Sequence, residues 1–317
     1  MKRSSWIFKI VCSTLGMLLI VALPVSAKEI DWEKVKVMPI DLFYPGQASW
    51  EWVLTKHKGA KSVRKGSPCL ECHEGEEKAM GDLIVKGGYL EPNTIDNKPG
   101  TVKAIIKAVQ DDHNLYVQVK WDALGFTSGK KVDQQFKAKV AVMLSSEEVK
   151  EVPVAGCWGF CHSDATGMAF SENKTRELYL SKSRIKLKRS GGGDDLISSN
   201  ELNDLLIKNY FVEYWQAQLA ANETKVVSGY ILEKRHVHKS AVVDVSYSQQ
   251  TGDNTLVFVR PLQTSLAPTK KLNQLKNFYM GFAIHDDYAE GRFHYVSFAR
   301  RMSLDGSTAD YKIKTID

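Results

Sequence analysis

Four of the five cysteines in this 317-residue chain fall in two short strings, Cys69-Leu70-Glu71-Cys72-His73 and Cys157-Trp158-Gly159-Phe160-Cys161-His162. The fifth, Cys12, lies in an apolar N-terminal stretch. Each string ends in a histidine directly after its second cysteine. A disulfide has no use for that neighbour, and a zinc site would need further ligands. Two sulfurs bonded to the vinyl groups of a c-type haem, with the next histidine turned to the iron, use every invested residue. The first string has the usual spacing. The second has one residue more, which requires a local bulge, and Gly159 at its middle can adopt backbone angles closed to other residues. A reversible disulfide is the competing reading of the second string. The expected cofactors are two covalently attached haem c groups, held by Cys69, Cys72, Cys157 and Cys161, with His73 and His162 as axial ligands.

The N-terminal residues fit an exported chain. Lys2, Arg3 and Lys9 precede the apolar run Ile10-Val11-Cys12 to Leu23, which is followed by Pro24 and Val25-Ser26-Ala27. That is the order of a secretory signal, with cleavage expected after Ala27 and a periplasmic location. Residues 1–27 are read as the signal peptide; a membrane association is expected only if this segment stays uncleaved. Its removal takes away three basic residues and no acid, so the formal charge falls from +6 to +3. Such a mild balance, without aromatics interleaved among basic residues, gives no reason to expect nucleic acid as a partner.

The chain changes character near Asn97-Lys98-Pro99-Gly100. Residues 28–98 are rich in turn formers, include the basic stretch His57 to Gly66, and read as a small irregular c-haem module. Residues 99–317 read as mainly β, an antiparallel β-sandwich. Leu115, Val117, Val119 and Trp121 alternate with polar or aromatic partners, and further strands are expected near 101–109, 139–144, 228–232, 240–247, 255–262 and 292–298. A single helix is expected over about 199–219, opened by a capping box of Ser198 and Glu201. The basic run from Lys182 to Asp195 reads as a strand end and loop, a solvated face or a docking site for an acidic redox partner.

Each iron needs a second axial ligand. For the first haem, His57 lies 12 residues before Cys69, close enough for a short loop to fold over the opposite face, with Met80 as the rival. Two imidazoles hold a haem at lower potential than histidine with methionine, so this choice tunes the redox task. For the second, the candidates are Met143, His236, His238, His285 and His294. A strand over 292–298 would place His294, Val296 and Phe298 on one apolar face.

The stretches DDHNLYVQVKW, KVAVMLS, FVRPL and GFAIHDDYAEGRFHYVSF resemble the haem-binding domain of the ethylbenzene dehydrogenase gamma-subunit type, over about residues 96–317. This resemblance implies a β-sandwich holding one haem and passing electrons, with Met143 at the family's methionine ligand. His294 stands where the family has a lysine. The added Cys157, Cys161 and His162 depart from the family's non-covalent haem, and the expected axial pair is His162 with His294, Met143 close behind. The favoured function is a periplasmic dihaem c-type cytochrome, an electron carrier and not an enzyme. Expected partners are a quinol dehydrogenase, a molybdenum oxidoreductase or another cytochrome. The alternatives are a haem enzyme with an open axial position for a small inorganic substrate, and an obligate subunit of a larger complex.

Overall fold

A computed structural model describes residues 30–48, 50–123, 133–156, 160–162, 178–186, 195–250, 252–286, 289, 291 and 293–316, with only the backbone of Glu51, Cys161 and His162. The expected signal peptide lies outside these residues. Residues 1–34 and 35–317 are separate compact units. In the first, a 3-10 turn at Trp32–Lys34 carries a Lys34–Asp31 ion pair.

The second unit is built on strands β1 (Met38–Phe43), β2 (Thr101–Gln110), β3 (Asn114–Asp122), β4 (Ala138–Ser145), β5 (Cys161–His162), β6 (Leu178–Tyr179), β7 (Val212–Leu219) and β8 (Thr224–Ile231). These are followed by β9 (Arg235–Val237), β10 (Asp244–Gln250), β11 (Asp253–Pro261), β12 (Asn277–His285), β13 (Tyr295–Val296), β14 (Arg300–Ser303), β15 (Tyr311–Lys312) and β16 (Lys314–Thr315). The helices are short: α1 (Trp50–Thr55), α2 (Ala60–Val63), α3 (Leu70–His73), α4 (Glu77–Val85), α5 (Glu151–Ala155) and α6 (Ser199–Ile207). Among the described residues, no helix is long and apolar enough to cross a membrane.

The main sheet runs β10-β11-β3-β2-β1-β13-β12-β4-β7-β8-β9. It is antiparallel along this path and curls so that β10 comes back against β8. The two halves face each other as the expected sandwich. Ile106, Val117, Val119, Leu256 and Phe258 from one half meet Val140, Val142, Trp215, Phe282 and Ile284 from the other in a single core. The rings of Trp215 and Phe258 lie 5.9 Å apart. Period-two alternation explains this division: on β4, Val140, Val142 and Leu144 point into the core, and Lys139, Ala141 and Met143 point out of it. A fully buried ion pair joins the halves, with Arg260 Nε of β11 donating to Glu213 Oε1 of β7 at 2.8 Å. Glu213 also accepts from Trp215 Nε1 and the Lys270 amide, both at 2.7 Å, so its charge is surrounded by donors.

Two sequence expectations change here. The helix expected over 199–219 stops at Ile207, and the capping box at Ser198 and Glu201 opens it as read. Asn209 then takes a left-handed conformation (φ 59°), which turns the chain, and Val212–Leu219 runs on as β7. Tyr214 and Trp215 therefore sit on opposite faces of a strand instead of along one helix. The strand expected over 292–298 is confined to Tyr295–Val296. Before it, Gly291 (φ 62°) turns the chain and leaves His294 in a bend. The turn-rich N-terminal stretch, for its part, contributes β1, which pairs along its whole length with β2.

Candidate functional site

The first string is one helical turn. Cys69, Cys72 and His73 stand at i, i+3 and i+4, the positions that share a face, and the amides of Cys72 and His73 both donate to the Cys69 carbonyl at 3.1 and 3.0 Å. The Cys69 thiol is buried, and that burial pushes its pKa up to about 12; Cys72 is exposed. His73 Nδ1 donates to Glu76 Oε2 at 3.0 Å, which leaves the imidazole lone pair on Nε2 and fixes the ring. The spacing of the string does not point to Glu76; its signal is an acid three residues after His73, within reach of the ring across one turn.

His57 comes to this turn from the loop after α1. Its ring centre is 5.9 Å from that of His73, and Trp52 meets its other side edge-on at 5.2 Å. With metal–nitrogen bonds of about 2 Å and ring centres roughly 1 Å behind each nitrogen, two imidazoles on one iron have centres about 6 Å apart. The 5.9 Å separation of the pair matches that spacing. The His57 pKa is lowered by burial first and by His73 second, so the ring is held neutral, as a metal ligand must be. Here the Gly59 amide donates to His57 Nδ1 at 3.1 Å, a bond that ligation would exchange for the iron. Met80, the rival, packs on the apolar cluster that contains Cys69.

Of the second string, Cys157, Trp158 and Gly159 lie outside the described residues, as do the side chains of Cys161 and His162; the bulge expected at Gly159 falls there. Gly156, just before it, has φ 78°, and a Cβ on it would lie 2.9 Å from both Ala299 N and Ser297 O. Only glycine passes there without strain. Phe160 is buried, and Cys161 pairs with Tyr179 in the β5–β6 ribbon.

Phe160 lies at one wall of a cavity of about 370 Å³ on the outward face of β12, β4 and β7. The floor is made of Ala141, Gly281 and Ala283, residues small enough for a flat ligand to lie against the strands. Along β4 the cavity runs from Lys139 to Met143, about 13 Å at the rise of a strand. Three potential metal donors line it: Met143, 4% exposed, His285 and His294. The rings of the two histidines stack at 4.4 Å and 14°. His294 Nδ1 donates to the Gly291 carbonyl at 2.9 Å, which places its lone pair on Nε2. Among the described residues, His285 Nδ1 is buried without a hydrogen-bond partner. Burial, then His294, then Lys139 push the His285 pKa well below the usual imidazole range. A small-residue floor, an orphaned imidazole nitrogen and a thioether donor together fit a haem. His236 and His238 are elsewhere: they lie beside Tyr230, with His236 Nε2 on Glu233 at 2.6 Å, and neither lines the cavity.

The two strings are joined. The Cys69 amide donates to the Val154 carbonyl at 2.9 Å, three residues before Cys157. Cys69 also packs in one apolar cluster with Ala155, with Tyr179, which faces Cys161, and with Phe298 and Ala283. Ala283 and Ala141 belong both to this cluster and to the cavity floor.

No family model matches the chain. Cytochrome c-552 of Stutzerimonas stutzeri is 30% identical over 289 residues, which span 88% of this chain and 89% of that protein. Cytochrome c-551 of Rhodocyclus tenuis is 28% identical over 284 residues, spanning 88% of this chain and 97% of that protein.

Proposed function

This chain belongs to the c-type cytochromes that include cytochrome c-552, and from that premise we propose that it is a periplasmic two-haem electron carrier. As a c-type cytochrome it binds haem covalently and transfers electrons. Bound haem supplies a ferrous/ferric couple that takes up and releases one electron at a time.

The chain's own residues do the rest. Cys69 and Cys72 would anchor the first haem by thioethers, and His73, oriented by Glu76, and His57 would be the residues that hold its iron. Cys157 and Cys161 anchor the second, against the floor of Ala141, Gly281 and Ala283. His162 and His294 are its proposed axial pair, and Met143 is the alternative that the resemblance to the ethylbenzene dehydrogenase gamma-subunit type supports. Three donors around the cavity favour filled coordination, hence a carrier over an enzyme with an open iron.

The observation that carries the two-haem reading is the link between the strings. The hydrogen bond from Cys69 to Val154, and the cluster that Cys69 shares with Ala141 and Ala283 of the cavity floor, support two sites near each other in one packed unit. Electron exchange without bond making requires such closeness and rigidity. A quinol dehydrogenase, a molybdenum oxidoreductase or another cytochrome are the proposed partners. The mass of the denatured mature polypeptide tests the reading: two haem equivalents and a start at residue 28 are expected, and one equivalent returns the second string to a disulfide.

A further inference from the structure

The basic stretch around His57 has no task in the two haem sites. Lys56, Lys58, Lys61, Arg64 and Lys65 place five cations in ten positions with no acid among them. All five are exposed. Lys56 Nζ donates to the Tyr89 hydroxyl at 2.9 Å and Arg64 to the Leu54 carbonyl. Among the described residues none of the five is paired with a carboxylate, and Lys58, Lys61 and Lys65 make no side-chain hydrogen bond. Lys61 and Lys65, four positions apart around the end of α2, repel each other. Apart from the Lys56 and Arg64 contacts, this concentration of charge has no stabilising partner among the described residues.

Its place is specific. His57 stands within the stretch, and its ring neighbour His73 is 25% exposed beside the exposed Cys72. Here the first redox site opens to solvent, whereas the second backs onto the buried Met143 and the sheet floor. Glu71, Glu74 and Glu76, also exposed, are the acidic residues next to His73 in the chain, with Glu76 bonded to its ring.

We propose that this face is the electron port of the molecule: an acidic redox protein docks on Lys56 to Lys65 and exchanges one electron with the first haem. An anionic lipid headgroup would also attract these cations, but it exchanges no electron, and His57, a proposed ligand of the first haem, stands within the stretch. The inference rests on the reading that Cys69 and Cys72 carry a haem.

The test uses the full-length holoprotein, reduced, mixed in a stopped-flow instrument with an acidic blue-copper protein as acceptor. For the wild type, the second-order rate should fall roughly tenfold as ionic strength rises from about 10 to 200 mM. Lys58→Glu/Lys61→Glu/Lys65→Glu should lose roughly tenfold at the low end and flatten the salt dependence. Lys182→Glu/Lys186→Glu, at two exposed lysines of the other basic run, should behave as wild type. Haem absorbance and melting confirm that each variant is loaded and folded. An unchanged rate and slope in the triple variant, or the loss appearing in the Lys182/Lys186 variant, overturns the proposal. So does an unchanged rate with lost binding to phosphatidylglycerol vesicles, which would assign the face to a membrane. The mass of the peptide bearing Cys69 and Cys72 reads haem attachment separately, so a failed haem reading is distinguishable from a failed port.

Discussion

The first string rides on a single helical turn at the surface, with Cys72 exposed and basic side chains around it, whereas the second leads into a ribbon beside a cavity floored by strands. At the first site, local geometry suffices: one turn of helix aligns two sulfurs and an imidazole, and a short loop returns His57. At the second, His285 and His294 come from a distant part of the chain. Met143, His285 and His294 meet only because β4 pairs with β12 and β12 with β13. Damage to the sheet's supporting network should therefore disturb the first site less than the second, and mutations near the first should leave stability nearly untouched.

The largest expected effect follows from Glu213. Glu213→Ala leaves Arg260 charged and buried, and should cost about 3–5 kcal/mol in urea denaturation. Lys78→Ala, removing an exposed pair with Asp82 near the first string, should change stability by about 0.5 kcal/mol or less. Comparable losses would break the contrast between the regions.

Next comes the pH dependence of the sheet. Lys270 is fully buried, with its Nζ donating to Ser146 Oγ at 2.9 Å, and burial lowers its pKa from 10.5 to about 7 against the raising pull of Glu148 and Glu213. Between those values the unfolded chain holds a proton that the folded chain lacks, so this group makes stability rise with pH, by up to about 1.4 kcal/mol per unit. Unfolding curves between about pH 7 and 9, below ordinary tyrosine titration, should show that rise in the wild type and lose it in Lys270→Met. Equal slopes in the two proteins would assign the dependence to other groups.

His57→Ala should change stability by about 1 kcal/mol or less, yet open the first iron so that carbon monoxide binds to the reduced protein. If carbon monoxide does not bind, the opposite ligand lies elsewhere, with Met80 the first residue to replace. The smallest effect is expected from Glu76→Gln. Folding should not change, but a weaker partner on His73 Nδ1 makes the imidazole a poorer donor to ferric iron and should raise the potential of the first haem. An unmoved potential in a redox titration would leave Glu76 with no part in tuning.

Much of the β architecture was legible because strand period is local: Val117, Val119 and Trp121 announce β3 by alternation alone. The capping box at Ser198 and Glu201 was legible for the same reason. The end of α6 was not, since Asn209 in a left-handed turn separates two apolar runs that read as one periodic segment. Nor was the pairing of His285 with His294, whose stacking arises from the turn at Gly291 and the pairing of β12 with β13.

The order of residues by itself determined the covalent chemistry available to this chain, because thiol spacing and an adjacent imidazole are fixed by bonds a few residues long. Only the tertiary structure decided which remote side chains surround the second string, that its floor is made of alanines and glycine, and that Cys69 is tied to Val154. Those contacts join residues far apart in the chain, and no local preference specifies them. They arise when the sheet curls to bury the apolar faces of its two halves.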